Sequence, residues 1–299
     1  MNYYEDIKNK LIDNEVYEKV KDYSKERHKV MTYYEVGKLL SEAGKHYGKD
    51  VIGEYSKKLV NDVGKKYNKR TLFRMKQLYL LFNDEKVSPL VTQLTWSHYL
   101  TLLPIKDYNK ICYYIEQVSN RNLSKRQLED IIKSKEYERL PKETKTKLIE
   151  NKELEILDEV KNPIIIRNSS NIDIDNIKER ILKELILDDI ESFLKQLGQG
   201  YSFISSEYKI KYGDTYNYID LLLYNYIYKC FVVVELKVTE LKKEHIGQVM
   251  VYMNYIDENL RNIGDSKTIG LIVVKENDEY IIRYSSDKRI KAIEYSMEV

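Results

Sequence analysis

Through residues 1–140, apolar positions return every three or four residues, as at Val16, Val20 and Tyr23 and again at Leu72, Met75, Leu78 and Tyr79. That is the period of amphipathic helices. Glycine and proline are sparse in these runs, and the pattern breaks at Gly44–Gly48, Lys65–Asn68 and Asn83–Pro89. Thr95 and Ser124 stand where N-caps are expected, and Ser124 has Gln127 at the spacing of a capping box. The stretch GEYSKKLVNDVGKKYNKRTLFRMKQLYLLF reads as two helices joined by a short turn, with Asn68 capping the second. Over residues 141–175, charged helical sequence gives way to Pro163 and a polar Asn–Ser cluster, which predicts a linker. Residues 176–299 open on one long expected helix, running to about Leu197 and ended by Gly198 and Gly200. Strand-like runs follow at Tyr201–Tyr212, Tyr216–Tyr224 and Tyr228–Lys237, then a helix over Lys242–Leu260 and a buried strand at Thr268–Lys275. Shorter strand candidates lie at Tyr280–Tyr284 and Ala292–Tyr295. This order predicts an α/β domain, a mixed sheet flanked by helices, behind an all-α domain.

Composition narrows the class. A chain of 299 residues fits two domains, and 42% hydrophobic content suffices for a core. No run approaches the roughly 20 apolar residues of a membrane span. The opening MNYYEDIKNKLIDNE lacks a basic-then-apolar export pattern. Cys112 and Cys230 have no partner spacing, so the expectation is a reduced, cytoplasmic chain. A net charge of +2 excludes a generally basic surface, so any nucleic-acid contact must be local. The 28 tyrosines, alongside many Ile, Asn and Lys, read as an AT-rich coding bias ahead of a set of stacking platforms.

Charge inside the strand runs carries the chemistry. Asp220 interrupts the apolar strand IDLLLY, and Glu235 and Lys237 end FVVVELK. Strand residues two apart share a face, so Glu235 and Lys237 point the same way. Buried charge is costly without a partner. A divalent cation would supply one, since two carboxylates make a hard oxygen site suited to Mg2+ or Mn2+. Lys237 could then orient or deprotonate the attacking water, or stabilise charge on a phosphate. The trio taken alone also fits a salt bridge that ties strands together. Gln248 and Tyr252, four apart, share a helix face. His245 lies on roughly the same face and reads chiefly as a surface residue. His28, His46 and His98 have no metal-ligand spacing, which argues against zinc.

The ordered set Asp220, Glu235-Leu236-Lys237 and Gln248-x-x-x-Tyr252 resembles the PD-(D/E)XK nuclease core in the subgroup with a QxxxY helix. The stretch from Gly198 to Asp257, with FLKQLG before it and TIGLIVVKE after it, is similar to the YhcG-like family. The resemblance implies a restriction-endonuclease-like fold and a metal-dependent DNA nuclease. On that resemblance Asp220 and Glu235 match the metal-binding acids and Lys237 the catalytic lysine. Gln248 and Tyr252 match the helix pair that, in such a family, supports the site and meets substrate phosphate. The family core also carries an acid on its first helix. Glu184, Asp188 and Glu191 are the candidates, with Glu184 chosen as the third metal residue. Ile219 stands where the family name has proline.

The resemblance extends to TLFRMKQLYLLF, LTWSHYLTLLPIKD and LSKRQLEDIIKSKEYERL, similar to the family's N-terminal domain. That implies a helix-turn-helix or winged-helix-like DNA-binding module over residues 1–140, with 176–299 as the nuclease domain. Trp96 reads as core. Lys65, Lys66, Lys69, Arg70, Arg74 and Lys76 crowd a turn and the following helix start, as a phosphate grip would. The same residues fit a helical hairpin with a solvated basic face. DNA is the expected partner, and homo-oligomers stay open. The alternative is a non-catalytic DNA-binding or assembly protein that keeps a nuclease-like fold.

Overall fold

The structure is a computed structural model, describing residues 2–19, 25–48, 50–82, 94–168, 177–277, 281 and 287–298. The chain divides into two compact units, Met1–Tyr137 and Glu138–Val299.

The described residues of the first unit form helices and no strand, so no β-wing is found among them. They are α1 (Tyr3–Glu18), α2 (Lys25–Tyr47), α3 (Val51–Asp62), a 3-10 turn (Lys65–Tyr67), α4 (Lys69–Leu81), α5 (Trp96–Leu102), α6 (Tyr108–Arg121) and α7 (Lys125–Lys133). Side-chain caps set several starts. Asn68 Oδ1 accepts from Thr71 N–H at 3.1 Å, and Ser124 and Gln127 close a reciprocal box. Thr95 and His98 box the start of α5. The expected break at Gly44 does not occur, because α2 runs on to Tyr47 and stops at Gly48, whose φ of +88° suits glycine. Leu72, Met75 and Leu78 are fully buried, and Trp96 is buried as expected. Val16 is 60% exposed, because α1 turns Ile7 and Leu11 inward instead. The Asn83–Pro89 break lies outside the described residues.

The second unit contains α8 (Lys142–Ile149), β1 (Ile164–Arg167), α9 (Glu179–Asp188), α10 (Ile190–Leu197), β2 (Tyr201–Tyr212), β3 (Thr215–Asn225), β4 (Cys230–Leu236), α11 (Lys243–Asn259), β5 (Ile269–Val274) and β6 (Ile290–Glu298). The six strands form one sheet in the order β1-β6-β5-β4-β3-β2. β2, β3 and β4 are antiparallel, while β4, β5, β6 and β1 run parallel. One face packs on α9 and α10 through Leu182, Leu185, Ile186 and Phe193 against Leu221, Leu223, Val232 and Val234. The other packs on α11 through Val249, Met253 and Ile256 against Leu222, Val233 and Ile272. A strand covered on both faces is apolar throughout, which explains VVV in β4 and IGLIVV in β5. Gly270 lets α11 lie close on the sheet, since a Cβ there would strike the Val249 and Met253 side chains.

Two expectations are corrected. The single helix to Leu197 is broken at Asp189, whose carboxylate caps α10 by accepting from Ser192 N–H at 3.3 Å. Within the expected linker, α8 and β1 are regular structure. β1 pairs with β6 from Ile164/Tyr295 to Arg167/Glu298, and buried Gln196 bonds both Ile165 N–H and Ile165 C=O at 2.8 Å. Residues 169–175 of the expected linker, and residue 176 after it, lie outside the described residues. So does the Tyr280–Tyr284 candidate except Ile281, which is not in a strand.

Candidate active site

β3 pairs with β4 only between Leu221/Val234 and Asn225/Cys230; beyond Leu221 it pairs with β2 alone. Asp220 sits at this fork. Its Oδ2 accepts from the Leu236 N–H at 3.0 Å, replacing a ladder acceptor that the departing strand no longer supplies. Glu235, one residue from the end of β4, has a side chain only 3% exposed. Its Oε1 accepts from Lys237 Nζ at 2.7 Å, while its Oε2 is buried with no protein partner. Lys237 lies just past the strand, held by its own N–H donating to Val273 C=O at 2.8 Å. Its ammonium also reaches Glu179 Oε2 at 3.5 Å.

Burial, then the charge of Asp220, pushes Glu235 up to about 7, although Lys237 pulls the other way. Burial works to lower Lys237, but the hydrogen bond and charge of Glu235, with Glu179 and Asp220, outweigh it and leave Lys237 raised. The site therefore holds a firm cation beside a carboxyl that resists ionising. A carboxyl raised in the fold binds its proton more tightly there than in the unfolded chain. Stability then falls as pH rises from the unfolded value near 4.5 to the folded value of about 7. At about 1.4 kcal/mol per unit the cost above pH 7 is on the order of 1–3 kcal/mol. Glu235→Gln should remove it. In EDTA at pH 8 the variant should melt several degrees above wild type, with the gap closing at pH 4; equal melting at both pH values contradicts the assignment.

Glu184 is not brought to Asp220, Glu235 or Lys237 in this structure. Glu184 is 55% exposed and pairs with Arg180 one turn back at 3.0 Å. Glu191 pairs with Lys195 on α10. Glu179, in the first turn of α9, reaches the site through Lys237 instead. One turn on, Lys183 Nζ lies 3.4 Å from Asp220 Oδ1 and 2.7 Å from Glu207, with its side chain 14% exposed. Sequence reading missed both residues. Their signal was the four-residue spacing of Glu179 and Lys183 beside buried Leu182 and Ile186, a face distinct from that of Arg180 and Glu184.

On α11, Gln248 Nε2 donates to Tyr252 Oη at 2.7 Å. Tyr252 is raised by burial first, with Glu235 and Asp220 adding to the rise, which places it in the field of both acids. His245 is used locally, its Nδ1 accepting from the Lys242 N–H at 3.2 Å. Burial, Lys237 and Lys242 hold it below the usual histidine range.

Among the described residues no group of three or more His, Cys, Asp or Glu forms a ready metal cage. Mg2+ does not need one, since it is commonly held by one or two carboxylates with water and substrate phosphate completing the shell. The partnerless Glu235 Oε2, in the field of the Asp220 carboxylate, fits that requirement.

In the first unit, the basic cluster is only partly available. Lys66 is neutralised by Glu15 and Glu18 of α1. Lys69 lies 3.6 Å from Asp50. Lys65, Arg70, Arg74 and Lys76 pair with no acid among the described residues.

An acid at a strand fork, a Glu-x-Lys at the end of the next strand and a Gln–Tyr pair on the following helix belong to a known class. Residues 160–299 match the family model described as the YhcG PDDEXK nuclease domain. Residues 10–139 match the DUF1016 N-terminal domain. The two halves of the chain thus match the two domains of the YhcG-like family of PD-(D/E)XK nucleases. It is similar to "Putative nuclease YhcG" of Escherichia coli (strain K12), 23% identical over 311 residues that cover 90% of this chain and 83% of the relative. Two solved structures resemble part of it. One is a repair endonuclease from Pyrococcus abyssi, with 15% identity, a TM-score of 0.29 and coverage of 41% of this chain and 47% of that one. The other is an EndoMS complex with dsDNA, with 18% identity, a TM-score of 0.30 and coverage of 40% and 44%. The chain thus spans under half the length of either solved structure. Among the described residues no helix is long and apolar enough to cross a membrane.

Proposed function

We propose that this protein is a metal-dependent DNA nuclease that hydrolyses phosphodiester bonds at Asp220, Glu235 and Lys237. The observation that carries the reading is the buried Glu235 Oε2, which has no protein partner and lies in the field of Asp220. An orphaned carboxylate oxygen at this depth is costly unless a ligand completes it. Asp220 and Glu235 are the residues that would hold Mg2+ or Mn2+. When bound, such an ion supplies Lewis-acid polarisation of the phosphate.

The remaining roles follow from the chain itself. Lys237 is raised, so it acts as a cation that donates to a non-bridging phosphate oxygen and stabilises the charge growing there, rather than as a base. Glu179, 3.5 Å from its ammonium, helps to orient it. Gln248, anchored on Tyr252, presents its remaining amide hydrogen-bonding capacity to substrate phosphate. Glu179→Gln should slow cleavage of a DNA substrate by about tenfold or more. Glu184→Gln, in an exposed pair, should stay within about twofold of wild type. The reverse order of effects would return the helix acid to Glu184 and sink this arrangement.

The helical unit supplies DNA affinity through Lys65, Arg70, Arg74 and Lys76. Lys66 contributes less because α1 already neutralises it. Duplex binding by the full chain should weaken with salt, at a slope near −0.9 per neutralised phosphate. Arg70→Ala with Arg74→Ala should reduce that slope by up to about two. An unchanged slope in an electrophoretic mobility titration would remove these arginines from the interface.

A further inference from the structure

Beyond the fork, β2 and β3 continue as a two-stranded ribbon, paired only with each other from Tyr208/Ile219 to Tyr212/Thr215. It closes on the Gly213–Asp214 turn. One face of the ribbon is dry, with Ile210 and Ile219 buried in the core beneath α11 and Tyr208 packed beside them. Alternation puts Lys209, Lys211, Tyr216 and Tyr218 on the other face. The register places Lys209 opposite Tyr218 and Lys211 opposite Tyr216. All four are exposed, Tyr216 by 54% and Tyr218 by 53%. Lys209 Nζ lies 3.8 Å from the centre of the Tyr216 ring. Continuing inward, the next residues are Glu207 and Asp220, both held by Lys183 of α9. The strip therefore leads directly out from the candidate metal acid, with Tyr218 and Tyr216 about 7 and 13 Å along the strand from Asp220.

We infer that this strip holds the unpaired strand of a DNA substrate on one side of the scissile bond, with bases stacked on Tyr218 and Tyr216 and phosphates on Lys209 and Lys211. Both rings are about half exposed, among the described residues only the Lys209 ammonium lies over one of them, and neither hydroxyl has a hydrogen-bond partner among those residues. Rings interleaved with lysines make a stacking platform on an electrostatic track, the chemistry that takes single strands without reading sequence. Duplex bases are already stacked on each other and would leave the ring faces unused. The lysines and the continuity with Asp220 favour a nucleic acid strand over an apolar protein partner. The inference rests on the nuclease reading for its substrate and gives that substrate a form: DNA with an unpaired segment at the cut.

Binding of labelled oligo(dT) and of a blunt duplex to the full chain in EDTA tests this without any cleavage. The double variant Tyr216→Ala, Tyr218→Ala should lose about 30-fold or more in oligo(dT) affinity, since each stacked base contributes strongly. Its duplex affinity should stay within about twofold. Tyr→Phe at both sites should restore oligo(dT) binding, because the ring and not the hydroxyl stacks. Lys209→Ala with Lys211→Ala should lower the single-strand salt slope by up to about 1.4. A Tyr218→Trp variant gives a second readout, indole quenching at saturating oligo(dT). Wild-type oligo(dT) affinity in the double alanine variant, equal losses on duplex and single strand, or an indole left unquenched in Tyr218→Trp would each overturn the inference. Single-strand binding through the ribbon by a protein that never cuts would uphold it while sinking the nuclease reading.

Discussion

Asp220→Asn and Glu235→Gln should each reduce DNA cleavage by about 10³-fold or more while leaving the fold intact. Either change removes a candidate ligand oxygen with almost no change of volume. With the ligand goes a cation that contributes several kcal/mol of transition-state charge stabilisation, and each 1.4 kcal/mol is about tenfold in rate. The two should not fail alike in other respects. Asp220 also accepts the Leu236 N–H at the strand fork, and asparagine can keep that bond through its carbonyl. Glu235 carries an orphaned buried oxygen, so its replacement should stabilise the metal-free protein at pH 8 as it inactivates it. Activity lost together with the melting transition would mean that the residues hold the fold rather than a metal.

Lys237→Ala should retain metal binding and lose about 10²-fold in rate, the usual scale for removing one donor to a developing oxyanion. Because Lys237 is raised by Glu235, Glu179 and Asp220, the lost group is a cation, and the deficit should persist at pH 9 rather than recover as a missing base would. Isothermal titration with Mn2+ separates the two effects. If the variant binds no Mn2+, the lysine organises the acids. If it cleaves at the wild-type rate, it has no part in the chemistry.

The parts of this site that strand periodicity governs were legible in the chain. Glu235 and Lys237 had to share a face, and an acid inside IDLLLY had to meet a special environment. Gln248 and Tyr252 had to stack on one helix face. The helix acid was not legible in this way. Acids at 179, 184, 188 and 191 look alike in sequence, and only the phase of α9 against the strand fork brings Glu179 rather than Glu184 to Lys237. The break at Asp189 made that phase harder still to extend from the downstream helix. β1 was missed because four residues after a proline carry little pattern, and their partner in β6 lies about 130 residues further on. The basic cluster looked uniform because the acids that neutralise Lys66 lie on α1, some 50 residues away in sequence. Tyr216 and Tyr218 were lost among 28 tyrosines. Only the register of the ribbon separates them from the buried ones.

Metal-dependent cleavage is read out by incubating the purified full chain with end-labelled linear, flapped and supercoiled DNA in Mg2+, in Mn2+ and in EDTA, alongside the Asp220→Asn variant. Hydrolysis at a metal site on Asp220 gives new ends only for wild type and only with metal, with the flapped substrate cut fastest. Absence of metal-dependent cleavage on every substrate, or equal cleavage by Asp220→Asn, would contradict it.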